Sequence, residues 1–197
     1  MKSSVYLAVP LMIGLLILQA SVLPHFPVLG VVPQLTLLAT LAWSLLHELD
    51  QGLQWAVVAG LTADLFSATP LGVSALALMM AVVVIHLIQR NFPDSRVIMP
   101  LALSAVGTVV FWFVYLFLIR LLVPFVVGRM AFLGVDALAD GVRAPGLMTD
   151  IASAYGLNGA TLELIALFVA VHALLILPIY WGFYTLERVI RPPQVEL

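Results

Sequence analysis

The chain has 197 residues, of which 63% are hydrophobic and 9% are charged, and its formal net charge is −2 at pH 7. An average soluble domain has about a quarter of its residues charged, so this composition indicates an integral membrane protein. The small net charge gives no basic surface of the kind that binds nucleic acid. The lack of cysteine excludes disulfides, thiolate catalysis, iron–sulfur clusters and cysteine-ligated zinc.

Breaks in the hydrophobic pattern divide the chain into six candidate transmembrane spans, because about 20 apolar residues cross the hydrocarbon core of a bilayer. The predicted spans are residues 5–23, 28–46, 51–69, 71–89, 97–119 and 164–186. The first span is expected to be retained as a helix, because its apolar region is longer than that of a usual signal peptide. The sequence therefore predicts one all-α membrane domain, residues 1–197, built as a six-helix bundle.

The third and fourth spans come from a single apolar run, Gln51 to Gln89, which is too long for one crossing. Pro70 divides this run into two arms, each about 28 Å long at 1.5 Å per residue. Proline ends a helix and glycine permits a reversal of the chain. Residues Pro70 to Gly72 are therefore predicted to form the turn of a tight helical hairpin.

The lysines and arginines predict the orientation, because they accumulate in short cytoplasmic loops. Placing both termini in the cytoplasm puts five of the eight cations on that side: Lys2, Arg90, Arg96, Arg188 and Arg191. The aromatic residues Trp43, Trp55, Trp181 and Tyr184 would then be anchors near the inner interface. Residues 120–163 are predicted to form an external loop, in which apolar residues from Met130 to Val142 suggest either an amphipathic interfacial helix or a segment packed over the bundle.

The sequence contains no pattern typical of a catalytic or metal site. Its four histidines, His25, His47, His86 and His172, are on different segments and lack metal-ligand spacing. A zinc-protease helix motif, a serine nucleophile elbow and a glycine-rich phosphate loop are all missing. We therefore predict no enzymatic activity, no cofactor and no metal. His172, near the middle of the last span, either marks a polar path or, as we expect, forms hydrogen bonds to a neighbouring helix as a neutral ring.

Asp64 is the one carboxylate within the predicted spans. An aspartate at the centre of a membrane-spanning helix costs about 2.5 to 3.5 kcal/mol on insertion scales. Asp64 is only about 9 Å from Pro70 at the predicted turn, so it would lie away from the centre of the membrane. Three roles are open to it: hydrogen bonding to backbone N–H groups or hydroxyls at the turn, contact with a partner, or proton transfer. We expect the first role, which would stabilise the hairpin.

Small residues share a helix face with this carboxylate, and such faces allow helices to pack closely in lipid. The predicted face for packing against a partner consists of Ala56, Gly60, Ala63, Asp64 and Ser67.

Two further groups of side chains are candidates for helix packing. Gln19, Ser21 and Gln34 are predicted to form hydrogen bonds with one another across the first turn region. The fifth span carries an aromatic cluster that would either face lipid or form a groove for a partner helix: Phe111, Trp112, Phe113, Tyr115 and Phe117.

The stretch from Gly60 to Gly72, GLTADLFSATPLG, resembles the MreD family of bacterial rod shape-determining membrane proteins. Its most specific elements are Gly60, Asp64 and the run Pro70, Leu71 and Gly72. The resemblance extends over about residues 5–91.

Two positions outside this stretch contribute to the resemblance, namely Gln19 late in the first span and Pro33 at the start of the second. Two features depart from the family pattern. Gln34 replaces a residue that is often acidic in the family, and residues 120–163 form a longer stretch than usual.

The resemblance implies a non-enzymatic subunit of the complex that elongates peptidoglycan, located in the bacterial cytoplasmic membrane. The implied partners are MreC and, directly or through it, RodA, a class B penicillin-binding protein and the filament protein MreB. The implied fold is similar to that of the substrate-binding subunits of energy-coupling-factor vitamin transporters. The alternative hypothesis is that the chain is itself such a transporter subunit, although Ala8 and Met12 do not supply the Ala-x-x-x-Ala stripe of those subunits.

Overall fold

The computed structural model describes residues 3–28, 31–67, 70–90, 97–132 and 159–190. Six α-helices form this described part, together with one short 3₁₀ turn at Leu23–His25. The helices are α1 (Ser3–Ser21), α2 (Leu35–Leu46), α3 (Leu49–Leu65), α4 (Val73–Gln89), α5 (Ile98–Phe132) and α6 (Gly159–Ile190). The prediction of an all-α fold is confirmed for the described residues.

Three stretches of the described residues are long and apolar enough to cross a bilayer: Ala8–His25, Ile98–Leu122 and Thr161–Leu186. They belong to the first, fifth and sixth predicted spans. The helices α2 and α4 are apolar but shorter, with 12 and 17 residues, or about 18 and 26 Å. The shorter apolar helices of the described chain therefore lie between α1 and α5.

The helix in the second predicted span begins at Leu35, seven residues after the predicted start at Val28. Two features explain the late start. Pro33 disfavours helical geometry at the residue before it, and Val28 and Val31 exchange backbone N–H···O bonds of 2.9 and 3.0 Å. The segment before Leu35 is thus held in a non-helical form by local hydrogen bonds.

The fifth helix is longer than its predicted span and ends at Phe132, after 35 residues or about 52 Å. Residues 120–132 are therefore helical, although the sequence predicted an external loop from position 120. That prediction relied on the charge of Arg120, but arginine is a good helix former and does not end a helix. Most of the predicted amphipathic segment, from Leu133 to Val142, lies outside the described residues.

Helix α2 occupies the centre of the bundle. Every residue from Thr36 to Leu45 is buried, and α2 contacts all five other helices. Helices α3, α4, α5 and α6 also pack against one another in sequence order. The core is thus built around the shortest helix, whose short length leaves room for polar contacts at its N-terminal end.

An aromatic stack lies at the other end of α2. The ring of Trp43 stacks on Trp55 and on His47, with centroid separations of 4.0 and 3.9 Å, and Phe183 of α6 meets both tryptophans edge-on. Trp43 and Trp55 are buried, so the prediction that they anchor the chain by facing the membrane interface is wrong. Their large apolar surfaces join α2, α3 and α6 instead.

Candidate functional site: a buried carboxylate at the start of the fourth helix

Helices α3 and α4 approach each other closely at Gly60. A Cβ atom added to Gly60 would overlap the backbone of Ala75. Towards the other end of the pair, a Cβ atom on Gly52 would lie 3.1 Å from Cγ1 of Val82. Gly52 faces Val82 and Gly60 faces Ala75, so residue numbers increase along α3 where they decrease along α4. The two helices therefore pack antiparallel. Gly60 is needed because the two backbones leave no space for a side chain there.

The carboxylate of Asp64 lies at the end of this antiparallel pair and is only 2% exposed. Its Oδ2 accepts a hydrogen bond of 2.7 Å from the backbone N–H of Gly72. The backbone N–H of Ser74 donates to Oδ1 and Oδ2 at 3.1 and 3.2 Å. Of the three roles that the sequence left open for Asp64, these contacts correspond to the first, hydrogen bonding to backbone N–H groups at the turn.

Helix α4 begins at Val73, so the N–H groups that bind Asp64 belong to the residue just before the helix, Gly72, and to its second residue, Ser74. The first N–H groups of a helix have no partner within the helix, and the N-terminal end of the helix dipole is positive. A side-chain oxygen usually satisfies them from the N-cap residue itself. Here the N-cap residue is Gly72, which has no side chain. The carboxylate of α3 takes over this task, and its negative charge is compensated where it is buried.

The backbone at Gly72 has a φ of +96°, in the left-handed region that favours glycine. The carbonyl of Pro70 accepts a hydrogen bond of 3.4 Å from the N–H of Val73. Pro70 is half-buried and Leu71 is exposed. Gly72 therefore sets the chain direction that brings the start of α4 to Asp64.

The predicted packing face is largely used within the chain. Ala56 and Gly60 are buried together with Asp64 by the other helices of the same molecule, so they are not available to a second protein. Ala63 is half-buried and Ser67 is exposed. Ser67 Oγ donates to the backbone carbonyl of Asp64 at 3.3 Å.

The N-terminal end of α2 is also capped by distant side chains. The N–H of Gln34 donates to Nε2 of His172 at 3.0 Å, and the N–H of Thr36 is 3.5 Å from Oε1 of Gln19. Gln19 therefore contacts a backbone N–H group of α2, whereas the sequence had predicted contacts to the side chains of Ser21 and Gln34. The reason is that the first N–H groups of a helix need acceptors.

His172, on α6, joins its own helix to the start of α2 and to α5. It is fully buried, and its Nδ1 lies 3.4 Å from Oγ1 of Thr108, which in turn donates to the carbonyl of Ser104 at 2.8 Å. Because Nε2 accepts from Gln34, a neutral ring carries its proton on Nδ1 and donates to Thr108. The prediction that His172 forms hydrogen bonds to a neighbouring helix is confirmed. Thr108 was missed, although a Ser and a Thr four residues apart in an apolar span signal a polar helix face.

A cavity of about 260 Å³ lies between α1, α2, α3, α4 and α5, beside these two capped helix ends. Its polar lining residues are Gln19, Gln34, Thr36, Ser67, Ser74 and Tyr115. None of the described residues that line the cavity is charged. The described chain also contains no group of three His, Cys, Asp or Glu residues that could hold a metal.

The structure divides the predicted aromatic cluster of α5 between two environments. Phe111 is buried and lines the cavity with Tyr115, whereas Phe113 and Phe117 are exposed. Trp112 packs against Phe168 of α6 with a centroid separation of 4.9 Å. Exposure to lipid therefore accounts for only part of the cluster.

The described chain is a bundle with long apolar helices, and its buried polar groups bind helix ends. These features define it as a helical membrane protein. The profile described as rod shape-determining protein MreD matches residues 1–135. The match covers more than half of the chain, which therefore belongs to the MreD family and has a role in rod shape determination. No curated protein and no solved structure matches the chain.

Proposed function

We propose that this protein is a non-enzymatic scaffold of the peptidoglycan elongation complex and that it binds MreC within the cytoplasmic membrane. The observation that carries the proposal is the structural role of the Asp64 carboxylate. It is the one carboxylate in the predicted spans, and it binds the backbone N–H groups of Gly72 and Ser74. A carboxylate engaged in this way stabilises the fold, which suits a protein that positions partners.

The family match supports the wider setting of the proposal. RodA, a class B penicillin-binding protein and MreB would then be partners, directly or through MreC. We further propose that the six helices all cross the membrane, with α3 and α4 as a hairpin and both termini in the cytoplasm. The antiparallel packing of α3 on α4 supports this arrangement, and the fold would be of the kind found in energy-coupling-factor substrate-binding subunits. We do not propose the transporter function itself, because the family match assigns a different role.

Co-purification tests the proposal directly. The protein and its cognate MreC are expressed together, with an affinity tag on one of them, and extracted in mild detergent. We expect the two to elute as one complex on size-exclusion chromatography, whereas an unrelated single-span membrane protein expressed at the same level does not co-elute. If both proteins are monodisperse and yet separate, the scaffold proposal loses its main support.

A cellular assay tests the proposed role in rod shape. We expect rod-shaped cells depleted of their own family member to lose that shape and expression of this protein to restore it. Asp64→Leu should fail to restore the shape, while substitution of the exposed Asp50 by Leu should restore it. Equal rescue by both variants would contradict the importance of the Asp64 contact.

A further inference from the structure

The cavity lies at membrane depth when its position is measured along α5. Phe111 and Tyr115 are 13 and 17 residues after Ile98, the first residue of the helix, or about 20 and 26 Å along its axis. The exposed Arg120 follows about 8 Å later. A hydrocarbon core is about 30 Å thick, so the proposed crossing of α5 places the cavity below the level of Arg120 and within the apolar layer.

The mouth of the cavity is surrounded by exposed apolar side chains. Of the lining residues, Ala20, Phe66 and Ser67 are exposed. Phe66 is 66% exposed, and its neighbour Leu65 is 68% exposed. Large apolar side chains gathered in this way at an opening are suited to contact with lipid and poorly suited to contact with water. Since the proposed crossing of α5 places the cavity within the apolar layer, an opening at Ala20 and Phe66 would face lipid.

The interior is polar but uncharged. Thr36 and Ser74 are 5% and 7% exposed, and two amide side chains, Gln19 and Gln34, line the same space. Such groups form hydrogen bonds with an uncharged ligand, and no lysine or arginine among the described lining residues could hold a phosphate.

The size of the cavity limits the occupant. Pockets that enclose a whole drug-sized ligand have volumes of about 300 to 1,000 Å³, and this cavity, at about 260 Å³, is smaller. It suits the polar end of a lipid whose acyl chains stay outside. We propose that the cavity binds the uncharged polar end of a neutral glyceride, of the diacylglycerol type, which enters from the membrane between Ala20 and Phe66. This goes beyond the scaffold function and rests only on the proposed insertion in the membrane.

Photochemical labelling of the purified full-length protein in phosphatidylcholine vesicles tests the proposal. One sample contains a diacylglycerol with a diazirine close to its ester groups, and the matched sample contains phosphatidic acid with the same photoreactive chains. We expect stronger labelling by the diacylglycerol probe, with the adducts mapped to cavity-lining positions such as Ala63, Ser67 and Leu78. Equal labelling by both probes, or adducts only at lipid-facing positions such as Leu174, would overturn the proposal.

Two variants that obstruct the cavity and one matched control sharpen the test. Ala63→Phe adds a phenyl ring in the cavity, and Ala20→Trp places a large side chain at its mouth, at an exposed position. Leu61→Phe adds a phenyl ring at an exposed position of the same helix that does not line the cavity. We expect the first two to lose diacylglycerol labelling to the level of the phosphatidic acid probe, while the control keeps it. Unchanged labelling in both obstructed variants would refute the site, and co-purification of the same variants with MreC reports separately on the scaffold proposal.

Discussion

The carboxylate of Asp64, at the end of α3, accepts a hydrogen bond of 2.7 Å from the backbone N–H of Gly72, immediately before α4. This contact joins the end of one helix to the start of the next, within the residues that match the MreD family. A charge that is costly to place in a membrane here satisfies backbone groups that are also costly to leave unpaired. The two costs offset each other, so the pair stabilises the packing of α3 on α4.

Replacement of Asp64 separates hydrogen bonding from charge. Asp64→Leu leaves the N–H groups of Gly72 and Ser74 without an acceptor, which should lower the free energy of unfolding by about 2 to 4 kcal/mol. Asp64→Asn keeps one acceptor oxygen and should cost about 1 kcal/mol. Thermal unfolding in detergent, followed by size-exclusion chromatography, measures both. Asp50→Asn, at an exposed position of α3, is the control. If the Asp64→Asn variant is as unstable as the Asp64→Leu variant, the charge itself is required.

Gly60→Ala tests the close approach of α3 and α4. The added methyl group would overlap the backbone of Ala75, so the helices must move apart, at a cost of about 1 to 3 kcal/mol. Gly14→Ala and Gly182→Ala are matched controls, because a Cβ atom at either position has no neighbour within 4 Å. Both controls should be neutral or slightly stabilising, since alanine favours helix. A melting temperature of Gly60→Ala equal to that of the controls would contradict the packing seen here.

Gly72→Ala tests the backbone conformation of the turn. A Cβ atom at Gly72 has no neighbour within 4 Å, so any cost arises from its φ of +96° and should be about 1 to 2 kcal/mol. Gly72→Asn should be milder, because asparagine tolerates left-handed conformations better than alanine does. The melting temperatures should therefore decrease from the unsubstituted protein to Gly72→Asn and then to Gly72→Ala. The reverse order for the two variants would argue against this conformation.

His172→Phe tests the polar contacts between α2, α5 and α6. Phenylalanine retains much of the ring volume but offers no acceptor to the N–H of Gln34 and no donor to Thr108. We expect a loss of about 1 to 3 kcal/mol in the free energy of unfolding. Thr108→Val should cost less, because it removes only the outer part of the network.

The double variant shows whether the two residues act as a unit. If His172 and Thr108 share one network, the effect of both substitutions should be smaller than the sum of the single effects by at least about 0.5 kcal/mol. Additive effects would show that the 3.4 Å separation carries little coupling. Thr185→Val, at an exposed position of α6, controls for the loss of a threonine hydroxyl in general.

Pro70, inside the apolar run from Gln51 to Gln89, predicted that this run holds two helices, and the structure has two. Helix α3 ends and α4 begins on either side of Pro70. The boundaries were wrong where charge was used as the signal, as at Arg120, because a charged residue does not interrupt backbone hydrogen bonds. The partner of Gln34 could not be predicted, since His172 is 138 positions away and nothing local indicates which helix end it meets.

The sequence by itself determined that this is an all-helical membrane protein of the MreD family and that Asp64 is near a turn, because these properties follow from local composition and residue order. The tertiary structure decided which groups these residues bind. It placed Ala56 and Gly60 inside the chain, brought His172 to the start of α2 and left a polar cavity between five helices. Those outcomes depend on contacts between residues far apart in sequence, and such contacts exist only once the helices have packed.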